Sequence, residues 1–297
     1  MCGCHERVEE SNRSQSLLGF STPQILDSFT EGAQSVSTSP VTLGFLTDAT
    51  LCIGCKACEV ACKQWNQLPG DPATSALELT GFSYDNTVDL GANTWRHVAF
   101  VERPSMDGIA WLMLSDVCKH CVHAGCLEAC PTGAIIRTEF GTVVIQDDVC
   151  NGCGYCIPAC PFGVPQLDHR DGGSHKCTLC YDRLRGGLSP ACATACPTGS
   201  IRFGEVDELR EAGRDRVITL KEQGVTEARL YGDHELGGTG GIAGLNAMFV
   251  LNGPPDAFNL PARPRLPRLN ILPAATATLA TAAGFAAAAI LSFRARN

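Results

Sequence analysis

Cys150-Asn-Gly-Cys153-Gly-Tyr-Cys156-Ile-Pro-Ala-Cys160-Pro161 is the stretch that decides the fold of this 297-residue chain. Its spacing, C-x2-C-x2-C-x3-C-P, is typical of [4Fe-4S] ligand runs, in which three thiolates bind one cube and the fourth binds a second cube. Gly152 and Gly154 allow the backbone to curl tightly around the ligands, and Pro161 turns the chain after the last one. Structural zinc sites usually contain two C-x2-C pairs separated by a longer loop, so this compact run favours iron–sulfur chemistry over zinc.

The amino-acid composition limits the classes of function. The net charge of −8 argues against a nucleic-acid groove as the main surface. Sixteen of the 18 cysteines fall into four groups of four, which indicates metal ligation rather than the disulfide framework of a short secreted protein. No nucleophile–base pair, acid–base carboxylate pair or phosphate-binding loop is evident in the sequence, and the glycine-rich run at 237–241 is expected to be a turn. The composition favours a metal-binding protein without a catalytic site of its own.

Two of the other groups lie before this run. The first motif is Cys52-Ile-Gly-Cys55-Lys-Ala-Cys58-Glu-Val-Ala-Cys62, which has the same spacing but carries Lys63 where proline is expected. The second is Cys118-Lys-His-Cys121-Val-His-Ala-Gly-Cys126-Leu-Glu-Ala-Cys130-Pro131, whose longer second gap a loop can absorb. Because all four cysteines are present there, His120 and His123 are expected to be loop residues rather than the histidine ligands of a Rieske centre.

The fourth motif follows the run at 150–160, which is the third. It consists of Cys177-Thr-Leu-Cys180 and, after an insert, Cys192-Ala-Thr-Ala-Cys196-Pro197. Alone, this pair of short runs could bind zinc. Beside three related motifs it is expected to hold the remaining cluster.

The motifs must pair, because the last cysteine of each run serves the other cluster. The second and third motifs are adjacent in sequence and form an inner unit, so the first and fourth pair across it as an outer unit. Four clusters are therefore expected, and such an array passes single electrons between distant sites. The expected ligand sets are Cys52, Cys55, Cys58 and Cys196 (cluster A); Cys118, Cys121, Cys126 and Cys160 (cluster B); Cys150, Cys153, Cys156 and Cys130 (cluster C); and Cys177, Cys180, Cys192 and Cys62 (cluster D).

The predicted fold class is α+β. It consists of two nested ferredoxin-like (dicluster) modules with short β-hairpins and helices, followed by one C-terminal transmembrane helix. The expected divisions are an amino-terminal arm at 1–47, an outer module at 48–117 and 162–253, an inner module at 118–161, a Pro-rich linker at 254–270 and the transmembrane helix at 271–293.

The arm is rich in polar residues, and its Cys2 and Cys4 are expected to be spare thiols. It shows neither a secretory signal pattern nor a twin-arginine pair.

Several secondary-structure elements can be predicted between the motifs. Residues 63–115 form an insertion in which 96–102 and 110–114 are expected to be strands, and its three tryptophans are expected to be packing residues, with a role in electron transfer as the alternative. The pattern after the fourth motif predicts a strand, a helix and a final strand. The remaining expected elements are a hairpin formed by 133–137 and 142–145, a strand at 201–204, a helix at 206–223 and a strand at 247–251.

The uncharged segment from Ile271 to Phe293 is long enough to span a bilayer. As a helix it would reach about 34 Å, compared with about 30 Å for a hydrocarbon core. The alternative is a buried alanine-rich helix in a soluble complex, but the glycine and alanine residues also suit close packing between membrane helices. Three arginines precede the segment and two follow it, so the positive-inside rule indicates no orientation.

The chain also resembles the iron–sulfur (beta) subunit of membrane-bound respiratory formate dehydrogenases, within the family of electron-transfer subunits that carry four [4Fe-4S] clusters for molybdopterin oxidoreductases. The resemblance covers about residues 45–293. The same four motifs occur in subunits that serve DMSO, polysulfide and nitrate reductases and membrane hydrogenases, which are the alternative. The residues that carry the resemblance are the runs at 52–58 and 61–66, Cys-Gly-Tyr-Cys-Ile at 153–157, Cys-Pro-Phe at 160–162, Lys-Cys-Thr-Leu-Cys at 176–180, and Asp182-Arg183.

The resemblance implies a non-catalytic subunit of a larger complex. A catalytic partner containing molybdenum or tungsten bis-pterin guanine dinucleotide would oxidise formate, and electrons would cross the four [4Fe-4S] clusters to a cytochrome b membrane subunit that reduces quinone. The resemblance also implies a cell-membrane location with the iron–sulfur domain facing outward. A complex that faces the cytoplasm is equally compatible with the sequence.

Overall fold

The computed structural model describes residues 41–70, 87, 89–105, 108–235 and 244–295. Cys2, Cys4, most of the predicted arm and the glycine-rich run at 237–241 lie outside these described residues.

The strands in chain order are β1 (Leu43–Asp48), β2 (Arg96–Ser105), β3 (Gly108–Val117), β4 (Ile135–Arg137), β5 (Val143–Ile145), β6 (Gln166–Leu167), β7 (Ser174–His175), β8 (Ile201–Glu205), β9 (Arg229–Tyr231) and β10 (Ala247–Leu251). The α-helices are α1 (Ala57–Trp65), α2 (Gly125–Glu128), α3 (Cys156–Ala159), α4 (Tyr181–Arg185), α5 (Ala191–Thr194), α6 (Val206–Glu222) and α7 (Ile271–Arg294). Two 3-10 helices, Pro255–Phe258 and Pro267–Asn270, lie in the linker.

The strands and the long helix predicted between and after the motifs are confirmed, although β2 and β3 are longer than predicted. The mixed α/β fold class, with small sheets and short helices, is also confirmed.

A four-stranded sheet of order β8-β1-β10-β9 supports the cysteine motifs. β1 pairs in antiparallel fashion with β8 and in parallel with β10. From the sequence, residues 43–47 are expected in the amino-terminal arm, and this assignment is wrong. They form most of β1, because Phe45 and Leu46 bury apolar side chains on opposite faces of the sheet.

The two faces of this sheet have different neighbours. On one face, Leu46, Met248 and Val250 pack against the apolar side of α6. On the other face, Phe45 and Phe249 join a core that contains the buried cysteines Cys58, Cys118, Cys177 and Cys192. The sheet therefore screens the cysteine-rich core from solvent on the side of α6.

The outer and inner units are closed by equivalent strand pairs. β1, before the first motif, pairs with β8, after the fourth. β5, before the third motif, pairs with β4, after the second. Each antiparallel pair therefore brings the beginning of one motif to the end of its partner, which is what the predicted nesting requires.

The linker is packed against the domain, whereas the terminal helix is not. Tyr231 donates a hydrogen bond from Oη to the carbonyl oxygen of Pro261 (2.8 Å), and Arg268 pairs with Glu128 of α2 (2.9 Å). Leu266 is buried. α7 is long and apolar enough to cross a membrane, and none of its most apolar segment is buried against the domain.

The contact between β1 and the segment before β10 gives a test of the fold. A Cβ atom at Gly44 would lie 1.9 Å from the carbonyl oxygen of Asn246, so Gly44→Ala should destabilise the domain by about 1–3 kcal/mol. Gly204, the register partner of Gly44 in β8, has room for a methyl group, and Gly204→Ala is the matched control. Thermal unfolding of the iron-loaded protein should show a midpoint several degrees lower for Gly44→Ala alone. Equal midpoints for the two variants would contradict this packing.

Candidate metal centres

All sixteen cysteines of the four motifs lie in described parts of the chain, and none of them forms a disulfide. Most of their side chains are buried or half-buried. Cys55 and Cys153, the second cysteines of the first and third motifs, are the exposed ones among them. Sulfur atoms that are enclosed in this way but left unpaired with one another form a donor set for a thiophilic metal.

One backbone feature is common to the four motifs. The residue before the second cysteine has a positive φ in each case: 65° at Gly54, 42° at His120, 70° at Gly152 and 60° at Leu179. This left-handed turn points backbone N–H groups at the ligands. The N–H of Leu179 donates to Cys177 Sγ (3.3 Å), and the N–H of Gly54 donates to the sulfur of Cys52. Such bonds stabilise thiolates bound to a metal.

Two of the expected ligand sets each line one cavity. Cys52, Cys55, Cys58 and Cys196, the set expected for cluster A, surround the first cavity together with Ile53 and Ser115. Cys118, Cys121, Cys126 and Cys160, the set expected for cluster B, surround the second together with His120 and Lys176. The fold therefore brings the last cysteine of the partner motif to the first three cysteines in both cases.

The set expected for cluster D is brought together by burial and mutual electrostatics. Burial, together with the nearby Cys192 and Cys180 sulfurs, raises the pKa of the Cys62 thiol to about 12. Burial also raises the pKa of Cys177, with contributions from Cys62, Cys180 and Cys192. Without metal these thiols stay protonated at neutral pH, so metal binding has to displace their protons.

Two cysteines of the set expected for cluster C, Cys150 and Cys156, contact Ser174. Its N–H donates to Cys150 Sγ (3.4 Å), and its hydroxyl lies 3.1 Å from Cys156 Sγ. Cys153 is close enough to Cys156 to raise the pKa of its thiol. Cys130 packs against the apolar cluster that contains Cys156.

The last cysteines of the second and fourth motifs begin identical turns, Cys-Pro-Thr-Gly. Burial would raise the pKa of both thiols, but local donors lower it overall. For Cys130 these donors are the hydroxyl of Thr132 and backbone N–H groups, and for Cys196 they are backbone N–H groups and the hydroxyl of Thr198. These two turns are preorganised to hold a thiolate.

Buried cations near the sulfurs were not predicted from the sequence. The Lys176 ammonium donates to the carbonyl oxygens of Val143 and Cys177. Burial would lower its pKa, but the sulfurs of Cys118, Cys126, Cys177 and Cys160 raise it. Arg96 and Lys119 are also almost fully buried. Lys119 and Lys176 are adjacent in sequence to ligand cysteines, and this position was the only sequence feature that could have indicated buried cations. Because lysine side chains are usually exposed, the residue type itself gave no reason to expect burial.

The polar atoms beside the cysteines fit an iron–sulfur cluster. Nδ1 of the buried His120 accepts a hydrogen bond from the N–H of Val143 (3.1 Å), so its proton is on Nε2. Within the described part of the chain, Nε2 of His120 and the Nε and Nη2 atoms of Arg96 have no hydrogen-bond partner. A buried donor without an acceptor is costly, and the thiolate and sulfide sulfurs of a bound cluster would supply acceptors. His120 thus lines the second cavity and is not an iron ligand in the proposed sets.

Comparisons with known proteins agree with this donor set. A family model described as a 4Fe-4S dicluster domain matches residues 109–206. The chain is 42% identical over 230 residues to the formate dehydrogenase iron–sulfur subunit of Haemophilus influenzae, an alignment that covers 76% of this chain and 70% of the relative. It is 41% identical over 225 residues to the iron–sulfur subunit of the nitrate-inducible formate dehydrogenase of Escherichia coli, covering 74% and 73%.

A second group of relatives is less similar. The B subunit of the anaerobic dimethyl sulfoxide reductase of Escherichia coli is 38% identical over 173 residues, which cover 58% of this chain and 78% of the relative. The resemblance inferred from the motifs is confirmed by the first group, whose alignments reach further along the chain. The chain binds iron–sulfur clusters and belongs to the family of formate dehydrogenase iron–sulfur subunits.

Proposed function

We propose that this chain is the electron-transfer subunit of a membrane-bound formate dehydrogenase and carries electrons through four [4Fe-4S] clusters. The observation that carries the proposal is the convergence of cysteines from distant motifs on common cavities, in a chain whose relatives are formate dehydrogenase iron–sulfur subunits. When bound, such clusters supply one-electron oxidation and reduction with little structural change. The chain itself holds no catalytic residues in this proposal.

The proposed ligands are the four sets expected from the sequence. Shared cavities support the sets for clusters A and B, and mutual electrostatics support the set for cluster D. Cluster C is supported by the convergence of Cys150 and Cys156 on Ser174 and by the packing of Cys130. Backbone N–H groups donate to sulfurs in each set, and hydroxyls lie beside sulfurs of the sets for clusters A and C.

Two surfaces of the chain support the partners that the resemblance implies. The linker is anchored to α2 by the pair Arg268–Glu128, so the proposed membrane helix α7 begins near the second motif. A cytochrome b subunit that passes electrons to quinone would bind on this side. Beside the first motif, Ile53 and Val60 are 59% and 66% exposed, and they offer an apolar surface for a catalytic subunit with molybdenum or tungsten bis-pterin guanine dinucleotide.

We also propose the domain division given by the motifs, with the inner module at 118–161 inside the outer one and the soluble domain on the outer side of the cell membrane. The alternative function is the equivalent subunit of a DMSO reductase, which the relative in Escherichia coli favours. The two differ in the substrate of the catalytic partner and not in the chemistry of this chain.

Purification of the native complex decides between these functions. Formate should drive quinone reduction, and metal analysis of the chain should give about 16 iron atoms, four for each proposed cluster. Turnover of DMSO without formate oxidation would overturn the choice of partner. Zinc in place of iron, without visible absorbance, would overturn the electron-transfer function.

Removal of one cysteine ligand tests the proposed electron transfer through the clusters. Cys156→Ala in the complex should lower the iron content by about four atoms per chain, because one [4Fe-4S] cluster is no longer held. Formate-dependent quinone reduction should be lost, whereas formate oxidation by an artificial dye that takes electrons at the catalytic subunit should persist. Tyr155→Phe, at an exposed neighbouring side chain, is the control. An unchanged iron content in Cys156→Ala would show that this ligand assignment is wrong.

The left-handed turn gives a second test of cluster C. A Cβ atom at Gly152 would lie 2.0 Å from the carbonyl oxygen of Gly172, so Gly152→Ala should displace Cys150 and Cys153 and reduce the iron content. Gly187 has nearly the same φ, 71° against 70°, but open space around it. Gly187→Ala is therefore a control for backbone strain alone and should retain its iron. Equal iron contents in the two variants would contradict the role of this turn.

A further inference from the structure

Arg96, the first residue of β2, is the most unusual charged residue of the core. It is only 1% exposed, and its guanidinium carbon lies 4.8 Å from the centre of the Phe45 ring. No carboxylate among the described residues forms an ion pair with it. Burying an unpaired charge is expensive, so its persistence here requires a compensating negative charge.

One side of the guanidinium is held by β3. Nη1 donates to the carbonyl oxygen and the hydroxyl oxygen of Ser115, at 3.1 and 3.0 Å. The Ser115 Oγ also lies 3.2 Å from Cys58 Sγ. Because arginine can only donate, the serine hydroxyl accepts from Arg96, and its own proton is left for the sulfur of Cys58. A directed chain of hydrogen bonds thus runs from Arg96 through Ser115 to Cys58.

The other two nitrogens of the guanidinium are buried, and four cysteines are close enough to influence its charge. Nε and Nη2 have no hydrogen-bond partner in the described part of the chain. Burial alone would lower the pKa of Arg96, but the fields of Cys192, Cys58, Cys177 and Cys62 raise it. Cys58 is a proposed ligand of cluster A, and the other three are proposed ligands of cluster D. Arg96 therefore lies among the ligands of two different clusters.

We propose that Arg96 is a positioning cation shared by clusters A and D that raises the reduction potential of both. This inference rests on the ligand sets of the proposed function. Reduction adds one electron, and hence one negative charge, to a cluster, and a fixed positive charge nearby stabilises the reduced form. The effect is large in a buried site, because little water screens the interaction. The permanently charged guanidinium supplies this field without taking up or releasing a proton.

The test is a redox titration of the purified complex, followed by electron paramagnetic resonance with dithionite as reductant. Arg96→Met removes the charge with little change in volume and should lower two midpoint potentials. We expect about a tenfold shift in the equilibrium between reduced and oxidised cluster, which for one electron is about 59 mV. Arg96→Lys keeps the charge and should shift both potentials less. Ser115→Ala keeps the guanidinium but removes the hydroxyl beside Cys58, so it should lower only the potential of cluster A.

Arg214→Met is the matched control, since Arg214 is a half-exposed arginine that pairs with Asp233 (2.9 Å). It should leave every midpoint unchanged. Unchanged midpoints in iron-loaded Arg96→Met, or equal shifts in Arg96→Met and Arg96→Lys, would overturn the role of the charge. Loss of iron from both Arg96 variants would also overturn it, because Arg96 would then be needed for assembly and not for the potential. Absence of [4Fe-4S] signals from the unmodified protein would instead reject the proposed function itself.

Discussion

The charge of many sulfur atoms in a core with little water is the constraint on which this structure depends. In the metal-free protein, burial raises the pKa of Cys58 to about 11 and that of Cys126 to about 12, so these buried thiols stay protonated at neutral pH. Metal binding requires thiolates, so negative charge accumulates where solvent cannot screen it. The buried cations Arg96 and Lys176 offset this negative charge, and the sulfurs raise the pKa values of both cations. A buried anion and a buried cation are each costly in free energy without the other, so the packing of the core and the binding of the clusters depend on each other.

The local geometry of the site could be predicted from the sequence only in part. Cysteine spacing indicated the four motifs, and Gly152 and Gly154 indicated a tightly curled backbone, in agreement with the positive φ of both residues. His120 and Leu179 adopt the same turn without being glycine, at a cost of about 1–2 kcal/mol each. The residue types of His120 and Leu179 do not predict a left-handed backbone conformation. At Leu179 this conformation points the N–H group at Cys177 Sγ, which is a constraint of the site and not of local propensity.

The hairpins β2–β3 and β4–β5 and the strands β8 and β10 were predicted from their runs of apolar and β-branched residues. β1, which lies between β8 and β10 in the sheet, was missed, although Phe45 lies opposite both Phe203 and Ala247. A short apolar segment after a long polar arm has no local feature that indicates a central strand. The burial of Arg96 was missed for the same reason, since only the tertiary fold brings sulfurs from the first and fourth motifs around it.

The segments that follow the first and third motifs share a feature besides cysteine spacing, but only the first of them contains a buried arginine. Ser115 and Ser174 each lie three residues before the first cysteine of the next motif, and each places a hydroxyl near the third cysteine of the preceding one. Their strand partners, Val98 and Leu167, are equivalent by register. Two residues before these strand partners, the segment after the first motif has Arg96, whereas the segment after the third motif has Pro165, which carries no charge.

The hairpin that carries Arg96 has ten-residue strands, whereas the corresponding pair β6–β7 has two-residue strands. The motifs have similar cysteine spacing, but the insertion at 63–115 places a buried guanidinium close to cysteines of the first and fourth motifs. Because the reduction potential of an iron–sulfur cluster depends on nearby charge and on solvent exposure, this insertion makes the surroundings of the proposed clusters unequal.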